Sequence, residues 1–191
     1  MIHWVFCDRV EPQAWRNGGG RTRELLVWPP HSPWHLRISV ADIETNGPFS
    51  AYPDVDRWFA VVEGEGVDLR FSSQRVSLGV DSTPLAFKGE DAPDCALHMG
   101  ATRDLNLMVQ RGQGQASMLR ARPGVTQGPA AALRALFCAD AVTLEVGGAE
   151  HLVAPYSLCW SSDAGHHPWC IRSALSAPRA WWMEFFPAEA R

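Results

Sequence analysis

Hydrophobic and polar residues alternate with a period of two along most of the chain, and the runs are short. The clearest case is residues 34–43, WHLRISVADI, where Leu36, Ile38 and Val40 fall on one face and His35, Arg37, Ser39 and Ala41 on the other. An arginine and a serine on one strand face either meet solvent or line the inside of a polar barrel. Residues 2–8 alternate around aromatics and predict a first strand, which Pro12 ends. Residues 24–28 predict a second, stopped by Pro29 and Pro30. Residues 46–50, NGPFS, predict a turn, followed by YPDVD at 52–56. Residues 57–63 predict a buried strand, and Gly64-Glu65-Gly66 a hairpin turn into 67–71. Further short strands are predicted at 74–78, 83–87, 95–99, 104–111 and 115–121. Alanine and leucine crowd residues 128–139, which suit a turn or two of helix or a buried strand. A second hairpin spans 142–154 across Gly147-Gly148, then comes a strand at 157–161. A polar loop with His166, His167 and Pro168 precedes final strands near 170–173 and 180–186. So many short strands with turn residues between them predict an all-β sandwich or barrel.

A faint echo accompanies this pattern. VVEGEGVDL at 61–69 resembles LEVGGAEHL at 144–152, which suggests two copies of one β-module in tandem. The length of 191 residues accommodates one domain or two small fused modules.

Composition narrows the function classes. With 46% hydrophobic and 20% charged residues the chain is ordinary for a soluble globular protein. A net charge of -4 argues against a general nucleic-acid binder. Lys88 is the only lysine, so positive charge is carried almost wholly by arginine, which suits bidentate capture of carboxylates. Nine tryptophans predict core or pocket walls. Cys7, Cys95, Cys138, Cys159 and Cys170 are scattered and form no CxxC pair, which favours reduced thiols in a cytoplasmic protein. No signal peptide and no apolar run approaching the roughly 20 residues of a membrane helix is evident, so no membrane partner is expected.

The densest polar cluster is residues 14–24, AWRNGGGRTRE. Gly18 to Gly20 permit positive φ and close approach of another group. The stretch is either a solvated loop leading into a strand or a ligand-facing loop. It fits neither the Walker pattern nor the dinucleotide fingerprint. The histidines show no HxH or HExxH spacing, and His166-His167 are adjacent, so no metal or other cofactor is expected. No GxSxG elbow is present and no cysteine sits in an activating motif, so no catalytic residue is assigned. The paired carboxylates Asp54/Asp56 and Glu63/Glu65 lie near turns, where such pairs are usually solvated. What recurs is hydrogen-bonding side chains near strand starts: Asn17, Thr22, Arg37, Ser39, Ser50, Arg57, Asp104 and Asn106. A barrel lined this way suits a small anion held by charge-assisted hydrogen bonds.

Several ordered motifs carry a family resemblance. WRNGGGRTRE, LRISVADI, GPFSAYPDVDRWF, EGEG, FKGE and DLNLMVQR, all within the first 111 residues, are similar to the HutD/Ves family in kind and order. The resemblance implies a bicupin: two antiparallel cupin-like β-barrels in tandem, with approximate halves 1–111 and 112–191. It implies a link to bacterial histidine utilisation, through binding of an acidic or formylated pathway intermediate in a regulatory or metabolite-buffering role. The alternative is a cupin-type isomerase, hydrolase or oxygenase acting on such an intermediate. Metal-dependent cupins usually carry an HxH-and-Glu motif, and GPFSAYPDVDRWF contains no histidine. The implied ligand site draws Trp15, Asn17, Thr22 and Glu24 from the opening stretch and Arg37 and Ser39 from the next strand. Phe49, Ser50 and Arg57 follow, then Asp104 and Asn106. Arg37 and Asn17 would hold a carboxylate or carbonyl, and Trp15 and Phe49 would wall the pocket. Glu24 and Asp104 would either join the site or orient the arginines. Bicupins often pair through edge strands or sheet faces, so a homodimer is a further expectation.

Overall fold

The computed structural model describes residues 1–188 except 32, 129–130 and 164–166. The chain forms two compact units, Val10–Gln113 and Met1–Arg9 joined with Gly114–Arg191. Strand β1 (His3–Phe6) and a 3-10 turn at Cys7–Arg9 therefore open the chain as part of the C-terminal unit, where β1 becomes an edge strand.

In the N-terminal unit the strands are β2 (Gln13–Ala14), β3 (Gly20–Trp28), β4 (Leu36–Ile43), β5 (Gly47–Pro48) and β6 (Val55–Glu63). They continue as β7 (Val67–Arg70), β8 (Arg75–Leu78), β9 (Leu85–Lys88), β10 (Asp94–Leu97) and β11 (Thr102–Gln110). They form a six-stranded sheet, β2-β3-β4-β11-β6-β9, and a four-stranded sheet, β5-β10-β7-β8. All pairings are antiparallel. Ile43, Phe49, Phe59, Val61, Val67 and Leu69 pack together as the core of this unit.

The C-terminal unit adds β12 (Gly114–Arg120), β13 (Thr126–Gln127), β14 (Leu133–Cys138) and β15 (Val142–Val146). It ends with β16 (Ala149–Val153), β17 (Ser157–Ser161), β18 (Trp169–Arg172) and β19 (Ala180–Pro187). Its sheets are β1-β17-β14-β19-β12 and β13-β18-β15-β16. Leu136, Cys138, Leu144, Trp169, Ile171 and Trp182 belong to its core.

The two orders are the same order. β4-β11-β6-β9 corresponds strand for strand to β12-β19-β14-β17, and β5-β10-β7-β8 to β13-β18-β15-β16. The all-β tandem architecture read from the sequence is the one observed. The echo that suggested it, however, is out of step. Residues 61–69 cross from β6 to β7, whereas 144–152 cross from β15 to β16, the counterparts of β7 and β8. Hairpins with glycine turns look alike wherever they fall.

Local differences have simple causes. Of the Ala/Leu-rich run, Leu133–Cys138 form the strand β14, with all six positions buried; an Ala/Leu run on an interior strand lacks the polar alternation that separates strand from helix. β3 begins at Gly20 instead of Glu24, so the glycine stretch is half turn and half strand. Gly18 takes φ +70 in the turn, and a Cβ on Gly20 would collide with the Asp42 carbonyl and press on the Trp15 ring at 3.3 Å. His166 lies outside the described residues. Among the described residues no helix is long and apolar enough to cross a membrane.

Candidate ligand-binding cavity

A cavity of about 480 Å³ opens in the N-terminal unit, a size suited to a small metabolite. Its walls come from three places. The β2–β3 hairpin supplies Trp15, Arg16 and Asn17; strands β3, β4, β6 and β11 supply Thr22, Glu24, Arg37, Ser39, Arg57, Asn106 and Met108; the segment after β5 supplies Phe49, Ser50 and Tyr52. On β4 the polar face of Arg37 and Ser39 thus lines a cavity.

The hairpin is braced by its own polar side chains. Asn17 Oδ1 accepts the Gly19 backbone N–H at 3.1 Å, and Trp15 Nε1 donates to Thr22 Oγ1 at 2.8 Å. The Trp15 backbone N–H donates to the Gly20 carbonyl at 2.9 Å. These contacts fix the Trp15 ring as a rigid wall and commit part of the Asn17 amide to the turn.

Two guanidinium groups differ in how they are compensated. Arg37 Nη2 sits 3.0 Å from Glu24 Oε2, near the Trp34 ring, with its Nε buried and without a hydrogen-bond partner. Arg57 is only 5% exposed and makes no ion pair with a described carboxylate. Its Nη2 donates to Asn106 Oδ1 at 3.0 Å; Nε and Nη1 are buried without a hydrogen-bond partner. The Phe49, Tyr52 and Phe87 rings lie 5.1 to 5.6 Å from its guanidinium carbon. Burial, opposed by Tyr52 and reinforced by the nearby Arg37 cation, lowers its pKa to about 10, so it remains charged at neutral pH. Ring quadrupoles recover part of the desolvation cost. They do not supply a counter-ion.

The structure gathers all the predicted ligand residues around the cavity except one. Asp104 is fully buried and is not among the cavity walls. Thr102 Oγ1 donates to its Oδ2 at 2.8 Å, while Oδ1 has no hydrogen-bond partner. Burial, with a contribution from Asp42, holds this carboxyl well above the usual carboxylate range despite the Thr102 bond. Among the described residues no arginine pairs with Asp104, so it does not orient one. Asp42 does. Its Oδ2 accepts from Arg21 Nε at 2.9 Å and Arg23 Nη1 at 2.6 Å, and its Oδ1 from Arg103 Nε at 2.8 Å. Burial would raise the Asp42 pKa, but the guanidinium groups outweigh it and bring it to about 2.

Sequence reasoning passed over Tyr52 and Met108. The signal for Met108 was present: it lies two residues beyond Asn106 on the same face of β11. Among the described residues no group of three or more His, Cys, Asp and Glu side chains could hold a metal ion. Burial pushes the Cys95 and Cys159 thiols up to about 12, far from nucleophilic readiness.

Fold and cavity together define a bicupin with a cationic, aromatic-walled chamber in its N-terminal unit. The HutD family model matches residues 8–175, and the chain belongs to that family. Protein Ves of Escherichia fergusonii is 35% identical over 104 residues, which cover 53% of this chain and 54% of that one, so the match spans about half of each. HutD from Pseudomonas fluorescens superposes with a TM-score of 0.85 at 22% identity, covering 98% of this chain and 100% of that one. A cupin 2 conserved barrel domain protein from Leptotrichia buccalis shares the fold at TM-score 0.58 and 9% identity, covering 96% of each chain.

Proposed function

We propose that the N-terminal cavity binds a small carboxylate-bearing metabolite without a metal ion, and that this binding serves a regulatory or metabolite-buffering role in histidine utilisation. The observation that carries the reading is Arg57, a cation buried in the cavity wall with no counter-ion among the described residues. An uncompensated buried charge is costly, and a bound anion offsets that cost. Charge-assisted hydrogen bonds to a carboxylate would use guanidinium capacity that the protein leaves unfilled. Ser39, Ser50 and the aromatic walls would orient the rest of an acidic or formylated amino-acid derivative. Family membership supports the pathway assignment.

The test is a thermal-shift panel of histidine-degradation intermediates and related carboxylates, each with and without a chelator. A ligand that binds only the folded state at about a hundredfold over its Kd adds about 2.7 kcal/mol of stability. A chelator-insensitive rise with one compound supports the reading. Turnover of that compound, or a fall in Tm caused by the chelator alone, would favour a cupin enzyme instead.

A further inference from the structure

The chain contains its own reference for the proposed site. On the corresponding strands β6 and β14, Arg57 lies opposite Met108 of β11 and Arg134 opposite Glu184 of β19. Phe59 and Val61 share the strand face of Arg57, Leu136 and Cys138 that of Arg134, and all four belong to the cores of their units. Each unit therefore carries a buried arginine on this strand, on the face that also bears core residues, 5% exposed at Arg57 and 1% at Arg134.

Their partners differ completely. Arg134 Nε donates to Glu184 Oε1 at 2.8 Å, its Nη1 reaches the Gln127 carbonyl at 3.4 Å, and its Nη2 donates to Glu184 and to the Gly128 carbonyl. Every nitrogen of that guanidinium is engaged. Arg57, on the corresponding strand, has the Asn106 amide and three rings. Directly opposite residues on antiparallel strands bring their Cβ atoms within roughly 5 Å, so the residue facing the arginine decides what meets it. In the C-terminal unit that residue is a carboxylate; in the N-terminal unit it is a thioether.

The cross-strand row sharpens the contrast. Reading across β4, β11, β6 and β9, the N-terminal row is Arg37, Met108, Arg57, Phe87. The C-terminal row is Ser117, Glu184, Arg134, Ser161. Met108 thus separates two cations, and the Arg37 charge depresses the Arg57 pKa. Space differs as well: two residues from Glu184 on β19 stands Trp182, which packs edge-on against Trp169 with ring centroids 6.2 Å apart, whereas two residues from Met108 on β11 stands Asn106.

We propose that Met108 is a specificity-determining residue: it leaves vacant beside Arg57 the place that the Glu184 carboxylate takes beside Arg134, and a ligand carboxylate binds there, over Met108 and between Arg37 and Arg57. The C-terminal unit is closed on an internal anion, and the N-terminal unit is kept open for an external one. This inference rests on the carboxylate-binding reading above and adds where the carboxylate sits and which side chain keeps the place free.

The test is calorimetric titration of the full chain with acetate and with glutarate at neutral pH, for wild type, Met108→Glu and Met108→Gln, with a thermal melt of each. A glutamate facing Arg57 repeats the Arg134–Glu184 pair. M108E is therefore expected to bind each probe at least tenfold more weakly than M108Q, with a Tm at or above that of M108Q. Binding by M108E within threefold of M108Q overturns the inference while leaving carboxylate binding intact. A wild-type protein that binds neither probe nor any compound of the metabolite panel removes both. If M108E does not fold, the crystal structure of wild type with glutarate decides: a carboxylate over Met108 against Arg57 supports the inference, and one seated elsewhere overturns it.

Discussion

The side-chain amide oxygen of Asn106 accepts a hydrogen bond from Arg57 Nη2 at 3.0 Å, and through it β11 fixes a buried cation carried by β6. Asn106 Nδ2 in turn lies 3.5 Å from the Asp104 carbonyl, a marginal contact that leaves the amide oriented mainly by Arg57. Replacing Asn106 by Leu removes the acceptor and strands the cation further. The expected cost is about 1–3 kcal/mol in urea unfolding, with weakened carboxylate binding in the same variant.

Arg57→Met should separate stability from binding. The variant deletes an uncompensated buried charge and keeps much of the apolar volume against Phe49 and Phe87. Replacing buried ionic groups by apolar ones is often neutral or stabilising by about 1–4 kcal/mol. The Tm without ligand should therefore hold or rise while binding is lost. Melts of the two proteins with and without ligand measure both effects.

Asp42 makes a prediction about acid. Its folded-state pKa of about 2 lies below the unfolded value, so its contribution is fully present above the unfolded carboxylate range and disappears as pH falls from about 4 toward 2. The difference corresponds to about 2 kcal/mol at neutral pH. Asp42→Asn leaves Arg21, Arg23 and Arg103 without their shared carboxylate and should destabilise by about 3–5 kcal/mol at pH 7. Urea titrations should show the gap between wild type and variant narrowing at pH 3.

Asp104 predicts the opposite sign. Burial raises its folded-state pKa above the unfolded value, so the folded state holds the extra proton and stability falls as pH rises from about 4 through the folded pKa. Asp104→Asn keeps an acceptor for Thr102 and cannot ionise. It should match wild type near pH 4 and exceed it at neutral pH, which paired unfolding curves at the two pH values would register.

Much of this was legible in the chain. Alternation placed Arg37 and Ser39 together on one face of β4, and the polar inventory found Arg57 and Asn106. Alternation reports a face and not a depth. Asp104, Asn106 and Met108 share a face of β11, but the cavity reaches only Asn106 and Met108. Polarity therefore drew in Asp104, which is sealed, and passed over Met108, which looked like core. The isolation of Arg57 was illegible for a related reason: a missing counter-ion depends on β6, β9 and β11 meeting across long sequence separations.

The most direct measurement is the thermal shift of wild type and Arg57→Met side by side across the carboxylate panel, each with and without chelator. The expected result is a rise in Tm with at least one compound in wild type, unchanged by chelator and absent from R57M. An equal rise in R57M, or no rise with any compound, would contradict a carboxylate site built on Arg57.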